Sequence, residues 1–333
     1  MDIKKLLGER GISLEFVENS AELFSEIKGK QIITNDSGFA RELLEEKGFK
    51  GFYPAQEDSL KEAERIKKQI GREKAVVGFG GGKAIDVAKK VSFDLNLDFI
   101  SVPTAPSHDG LVSKNSSLSD DTGKRISIPA KYPTKLIIPL HLWKNTGDLR
   151  KAGICDLISN LIALQDLSLA EKEGEKFDDF YKELSFEAQK PESFEDDKVL
   201  AHSLIMSGIS MEQTSRYCSG SEHEVEKLLE RKLKGKYLHG QLVGLGTLIT
   251  ARVYFIYADS FPELRFDPRA LFEEIKQRMI KENIYDFVRA PLADKDFKAE
   301  FLEEVSEIRP QRYGLWNFVD SKKIDWRGIV RGI

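Results

Sequence analysis

The stretch Val76-Val77-Gly78-Phe79-Gly80-Gly81-Gly82-Lys83-Ala84-Ile85-Asp86 runs from a strand-like apolar segment through three consecutive glycines into a helical pattern. Without Cβ atoms, such glycines let the backbone turn tightly and bring its N–H groups against a pyrophosphate. A helix starting near Lys83 aims the positive end of its dipole at the same place. The spacing is neither a Walker loop, which needs Gly-Lys-Ser/Thr, nor G-x-G-x-x-G. A triple glycine alone also serves a plain tight turn; the strand–glycine–helix order favours a phosphate cradle.

Working outward, Gln31–Thr34 reads as a strand and Ser37–Lys47 as a helix. A helix over Ser59–Gly71 leads into the strand Lys74–Gly78, then the helix Lys83–Asp94 and the strand Phe99–Val102. Strands alternating with helices predict a parallel sheet covered on both faces, a Rossmann-like α/β domain. Past Lys144 the strand-like runs stop. Gly153–Ala170, Lys198–Met211, Glu222–Leu233, Gly240–Tyr257, Pro268–Lys281 and Lys298–Ile308 all read as helices. The charged stretch Glu171–Lys198, with Pro191 inside, reads as a solvated helix pair or loop. The expected organisation is therefore an α/β domain over residues 1–146 and an all-helical domain over residues 147–333.

A chain of 333 residues is more than one compact core usually takes, in keeping with two domains. Fifty-one Lys+Arg against 55 Asp+Glu leave a net charge of −4, which argues against a nucleic-acid binder or a polybasic membrane protein. Two cysteines, Cys155 and Cys218, cannot build a disulfide framework and suit a reducing compartment. Met1–Gly11 lacks the apolar core of a signal peptide, and the apolar stretch Leu242–Ala258 is interrupted by Arg252. No integral membrane segment and a cytoplasmic location are expected.

One strand beyond the glycines comes Ser101-Val102-Pro103-Thr104-Ala105-Pro106-Ser107-His108-Asp109-Gly110. Two prolines stiffen a loop leaving the carboxyl end of a strand, where α/β sheets bind ligands. Thr104, Ser107 and Ser113 offer hydroxyls and Asp109 a carboxylate, although such side chains also cap ordinary loops. Among only five histidines, His223 stands in Ser-Gly-Ser-Glu-His and His239 in Leu-His-Gly, sixteen residues apart and each at a helix start. Asp156 lies amid apolar helical neighbours, where a buried carboxylate is costly unless a cation or strong donors pair with it. One carboxylate, two imidazoles and an open position would make a catalytic metal site, though neither histidine motif is diagnostic alone.

Taken together, Gly80-Gly81-Gly82-Lys83-x-x-Asp86, the SVPTAPSHDG run of Ser101–Gly110, Gly153–Asn160, the SGSEH of Ser219–His223 and His239-Gly240 occur in an order that resembles the sn-glycerol-1-phosphate dehydrogenases. That family lies within the iron-dependent alcohol dehydrogenase and dehydroquinate synthase superfamily. The resemblance implies a dehydroquinate synthase-like fold and reversible, NAD(P)-linked reduction of dihydroxyacetone phosphate to sn-glycerol 1-phosphate for lipid synthesis. It implies that Gly80, Gly81, Gly82, Lys83, Ala84, Ile85 and Asp86 hold the cofactor's pyrophosphate region. Thr104, Ala105, Pro106, Ser107 and Ser113 would continue the nicotinamide site, and Asp109 would contact substrate hydroxyls. Asp156, His223 and His239 would bind one divalent metal, zinc first, with nickel or iron as alternatives. Asp36 would sit near the adenosine ribose, where an acid favours NAD(H) over NADP(H). A homo-oligomer acting on a small phosphorylated triose is the expected form.

The chain also departs from that family. The position four residues after the first histidine ligand, usually a second histidine facing substrate, is Lys227. Gln241 follows His239-Gly240 where glutamate is common, and Ser113-Lys114 stands after the SHDG turn where Ser-Pro is common. Lys227 could serve a substrate phosphate, being one helical turn from a ligand, or be a solvated lysine among Glu224, Glu226 and Glu230. A glycerol or other polyol dehydrogenase is therefore an alternative activity. A lyase of the dehydroquinate synthase type is a more distant one, against which Asp156 speaks because that class uses a glutamate ligand.

Overall fold

A computed structural model describes residues 1–71 and 75–333. The chain divides into two compact units: residues 1–150 with 196–212, and residues 151–195 with 213–333.

The first unit is built on strands β1 (Ser13–Val17), β2 (Gln31–Asn35), β3 (Tyr53–Ala55), β4 (Val76–Gly80), β5 (Phe99–Pro103) and β8 (Lys135–Pro139). They form one parallel sheet in the order β1-β8-β5-β4-β2-β3. The intervening β6 (Asn115–Ser119) and β7 (Arg125–Pro129) pair antiparallel as a separate hairpin. Helices α1 (Ser20–Ile27), α2 (Phe39–Glu46), α3 (Leu60–Lys67) and α4 (Gly82–Leu95) cover the sheet. Side chains alternate across the pleat. Ile32, Val77 and Ile100 accordingly pack with Leu23, Ile27 and Leu44. Ile33, Val76 and Phe99 pack with Ala63, Ile66 and Val91. Both faces are apolar, as a doubly covered parallel sheet requires. The expected strand Lys74–Gly78 is observed as Val76–Gly80, and Lys74 lies outside the described residues.

From β2 the chain steps outward to β3, and from β4 it steps the other way to β5. The order therefore reverses between β2 and β4, whose carboxyl ends flank the switch point where open α/β sheets place ligands. Both Asp36 and the triple glycine lie there.

The second unit is helical. It holds most of α5 (Asp148–Lys172), α6 (Asp179–Gln189), α8 (Ser221–Lys232), α9 (His239–Ile256) and α10 (Pro268–Lys281). Helix α7 (Asp197–Ser210) falls within the span expected for the second domain but groups with the first. Its Ser207 donates to Asp109 at 2.6 Å, and Glu212 just beyond it pairs with Arg10 at 2.6 Å. The expected helix Lys298–Ile308 is a 3₁₀ segment, Ala299–Glu307. Helix α5 is the one described helix long and apolar enough to cross a membrane; it is buried in the protein.

Candidate active site

In the second unit, three glycines let the ligand-bearing helices approach closely. A Cβ on Gly240 would run into the Ala152 carbonyl of α5. One turn later, a Cβ on Gly244 would come within 2.8 Å of Cys155 Sγ. On the other side, a Cβ on Gly246 would collide with the Glu222 carbonyl of α8. Helix α9 thus lies hard against α5 and α8, and its first residue, His239, is brought beside Asp156 and His223.

His223 Nε2 is 3.6 Å from Asp156 Oδ1, and His239 Nε2 is 3.9 Å from the same oxygen. One ligand atom from each residue lies within 4.8 Å of the other two. Two tetrahedral ligands at about 2.1 Å from a metal stand roughly 3.4 Å apart, so the set has the dimensions of a metal site. The back faces of the imidazoles support this fit. His223 Nδ1 is 2.7 Å from Glu222 Oε1, and His239 Nδ1 is 3.0 Å from Glu226 Oε1. A carboxylate on Nδ1 fixes the neutral tautomer whose Nε2 can ligate a metal. Asp156 and His223 are buried, whereas the His239 side chain is 43% exposed and leaves the set an open side.

Electrostatics in the cluster are strong. Burial alone would lower His223, but Asp156 and Glu222 hold it up at about 9. Burial would raise Glu226, but His239, Lys227 and His223 hold it down at about 2. An excess of buried carboxylates thus draws in positive charge, as a divalent cation would supply. Lys227 is half-buried one turn beyond His223.

In the first unit the glycine turn joins β4 to α4. Gly80 has φ +146° and its Cβ would collide with Asn35 Oδ1, which accepts from Gly81 N–H at 3.2 Å. A Cβ on Gly81 would meet nothing within 4 Å, so open space lies beside the start of α4. At Gly82 it would come within 3.0 Å of His108 Nε2, which places that imidazole against the helix start. Lys83 Nζ pairs with Asp36 Oδ1 at 2.6 Å, and the pairing lowers the Asp36 pKa. Ala84 and Ile85 are fully buried. Asp86 is also buried, facing Lys89 Nζ at 3.4 Å.

Thr104, Ala105 and Pro106 are buried and Ser107 half-buried, with Thr104 N–H donating to Gly80 O at 3.1 Å. Asp109 opens a 3₁₀ turn to Leu111, and Ser113 donates to Asn115 O at 2.9 Å. Fully buried Lys89 donates to Gly110 O at 2.9 Å and Asn115 O at 2.8 Å, tying that turn to α4. Asn35, Lys89, Ser207, Glu222 and Glu226 were not singled out from the sequence. A locally readable hint existed for Glu222 and Glu226, which stand one before and three after His223 on one helix.

The sequence model of the iron-containing alcohol dehydrogenases matches residues 18–146. Solved structures agree in fold. Glycerol dehydrogenase from Schizosaccharomyces pombe superposes with TM-score 0.66 at 16% identity, over 96% of this chain and 87% of that one. An iron-containing alcohol dehydrogenase from Thermotoga maritima gives 0.63 at 16% identity, over 97% and 98%. Sequence similarity is narrower. The glycerol-1-phosphate dehydrogenase [NAD(P)+] of Metallosphaera sedula is 33% identical over 292 residues, 81% of this chain and 77% of that protein. That of Thermococcus sibiricus is 31% identical over 338 aligned positions, 94% and 88%. The chain belongs to the glycerol-1-phosphate dehydrogenase family of the iron-containing alcohol dehydrogenase superfamily.

Proposed function

We infer that this protein is a metal-dependent, NAD(P)-linked dehydrogenase that interconverts dihydroxyacetone phosphate and sn-glycerol 1-phosphate. The observation that carries this reading is the Asp156, His223 and His239 set, each imidazole backed by a buried glutamate, in a chain with such relatives. Asp156, His223 and His239 would hold a divalent metal, zinc in our reading, and the turn Gly80–Gly82 with the start of α4 would hold the dinucleotide pyrophosphate. When bound, the metal supplies Lewis acidity toward a carbonyl or hydroxyl oxygen, and the nicotinamide supplies or accepts the hydride.

The chain's own groups do the rest. Gly81 keeps the space beside the helix start free of side chains, so backbone N–H groups can face the pyrophosphate. Asp36, already paired with Lys83, is the acid we place at the adenosine ribose, favouring NAD(H). Asp109 orients a substrate hydroxyl while Ser207 fixes its other oxygen at 2.6 Å. Lys227, on the ligand-bearing helix, is the cation we assign to the substrate phosphate. Cytoplasmic location and a role in glycerophosphate supply for lipids accompany this reading.

The test is the stereochemistry of the product. The protein, loaded with Zn²⁺ and given NADH and dihydroxyacetone phosphate, should form sn-glycerol 1-phosphate, and chelation should abolish turnover. Formation of sn-glycerol 3-phosphate, or full turnover after metal removal, would overturn the assignment.

A further inference from the structure

The two carboxylates behind the histidines are held in different ways. Glu222 is tied within its own turn: Oε1 accepts from Gly220 N–H at 2.8 Å as well as facing His223 Nδ1. Glu226 lies one turn further along α8 and reaches to a different helix, where Oε1 meets His239 Nδ1 at 3.0 Å. Its Oε2, like that of Glu222, is buried and has no hydrogen-bond partner among the described residues. A fully buried glutamate with an unpartnered oxygen is costly to keep for packing alone, on the order of 1–3 kcal/mol. Its partner, meanwhile, is the exposed member of the set, at a helix start.

We propose that Glu226 is a positioning residue for metal capture: it fixes the ring and tautomer of His239 from α8, so that this partly exposed ligand presents Nε2 to the metal held by Asp156 and His223. A second carboxylate behind the site also makes His239 a stronger donor and adds negative charge close to the cation. The ring also packs against that of His223, with centroids 5.5 Å apart, but Glu226 is the group that holds its Nδ1. This inference rests on the metal reading above.

The test measures metal affinity rather than turnover. Metal-free full-length protein is titrated with Zn²⁺ against a chromophoric chelator, and its thermal midpoint without metal is recorded alongside. Glu226→Ala should weaken Zn²⁺ binding by about tenfold to a hundredfold, the usual loss when such an outer carboxylate is removed. Near-isosteric Glu226→Gln, which keeps an acceptor oxygen but no charge, should also weaken it. Glu226→Gln should keep the metal-free midpoint close to that of the unaltered protein, because it preserves the buried volume, whereas Glu226→Ala leaves a cavity and its midpoint is the control for folding. Zn²⁺ affinity within about twofold of the unaltered protein in both variants would overturn the inference. So would a loss confined to Glu226→Ala and matched by unfolding of its metal-free form. Failure of the unaltered protein to bind Zn²⁺ would remove the metal reading and this inference with it; equal tight binding by all three proteins would remove only the inference.

Discussion

Ser207 Oγ donates to Asp109 Oδ2 at 2.6 Å, joining residues 98 positions apart in sequence. The next residue, Gly208, makes the bond possible, because a Cβ there would collide with the Asp109 carbonyl and come within 2.7 Å of Val112. A helix that follows 45 residues of the other unit thereby returns to fix one carboxylate of the first. The short, buried bond to a charged acceptor is of the strong kind, worth roughly 1.5–3 kcal/mol.

Ser207→Ala should therefore raise KM for dihydroxyacetone phosphate by about tenfold while leaving NADH affinity unchanged, since 1.4 kcal/mol is a factor of about ten. Steady-state kinetics and an NADH titration on the same variant separate the two quantities. Asp109→Ala provides the reference: a silent Asp109 variant would show that this acid does not touch substrate.

Gly81→Val should weaken cofactor binding by at least about tenfold with little change in stability. The added side chain meets no protein atom within 4 Å and so enters only the space assigned to the pyrophosphate. Fluorescence titration with NADH and a thermal melt check both halves. Unchanged affinity would reduce the glycine run to a plain turn.

Asp166 carries a pH dependence of its own. Burial first, and the charge of Glu222 second, push its carboxyl up to about 6, while Ser221 and Tyr254 partly oppose the shift. The folded state then keeps a proton that the unfolded chain releases near pH 3.8. Its stabilising contribution is full below that value and is lost as pH rises through about 6. A shift of about two units corresponds to roughly 3 kcal/mol at most. Urea unfolding of metal-free protein between pH 4 and 7 should show this decline, and Asp166→Asn should flatten it.

Lys227→Ala should erode the preference for a phosphorylated substrate without releasing metal, because the lysine lies one turn from His223 but is not among the ligand atoms. A loss of about tenfold in kcat/KM for dihydroxyacetone phosphate, with no change for dihydroxyacetone, is expected from one charge-assisted hydrogen bond. Loss of bound zinc in that variant would place the lysine in the metal site instead.

Much of the first unit is legible locally. The apolar run into Gly80–Gly82 and the helical pattern after it fix β4 and α4 to within two residues, because strand, turn and helix each carry their own signal. Less legible are β1 and β8. Each is a five-residue strand, and β1 lies at the sheet edge, where exposed Ser13 blurs the alternation. The placement of α7 could not be read at all, since its membership is decided by Ser207 and Gly208 meeting Asp109, a contact without local pattern. Glu222, Glu224 and Glu226 look like a solvated acidic face beside Lys227 and Glu230, yet all three are buried. Tertiary packing against α9 and the C-terminal segments, not periodicity, decides that. The segment Ala299–Glu307 has helical spacing but winds as a 3₁₀ helix.

The central claim is that this site reads a phosphorylated triose. The most direct measurement compares kcat/KM for dihydroxyacetone phosphate and dihydroxyacetone in the Zn²⁺-loaded protein with NADH at fixed pH and salt. A phosphate carrying close to two negative charges, held by at least one cationic hydrogen bond, should favour dihydroxyacetone phosphate by about tenfold to a hundredfold or more. Equal values for the two ketones would contradict the account and point to a polyol dehydrogenase built on the same fold.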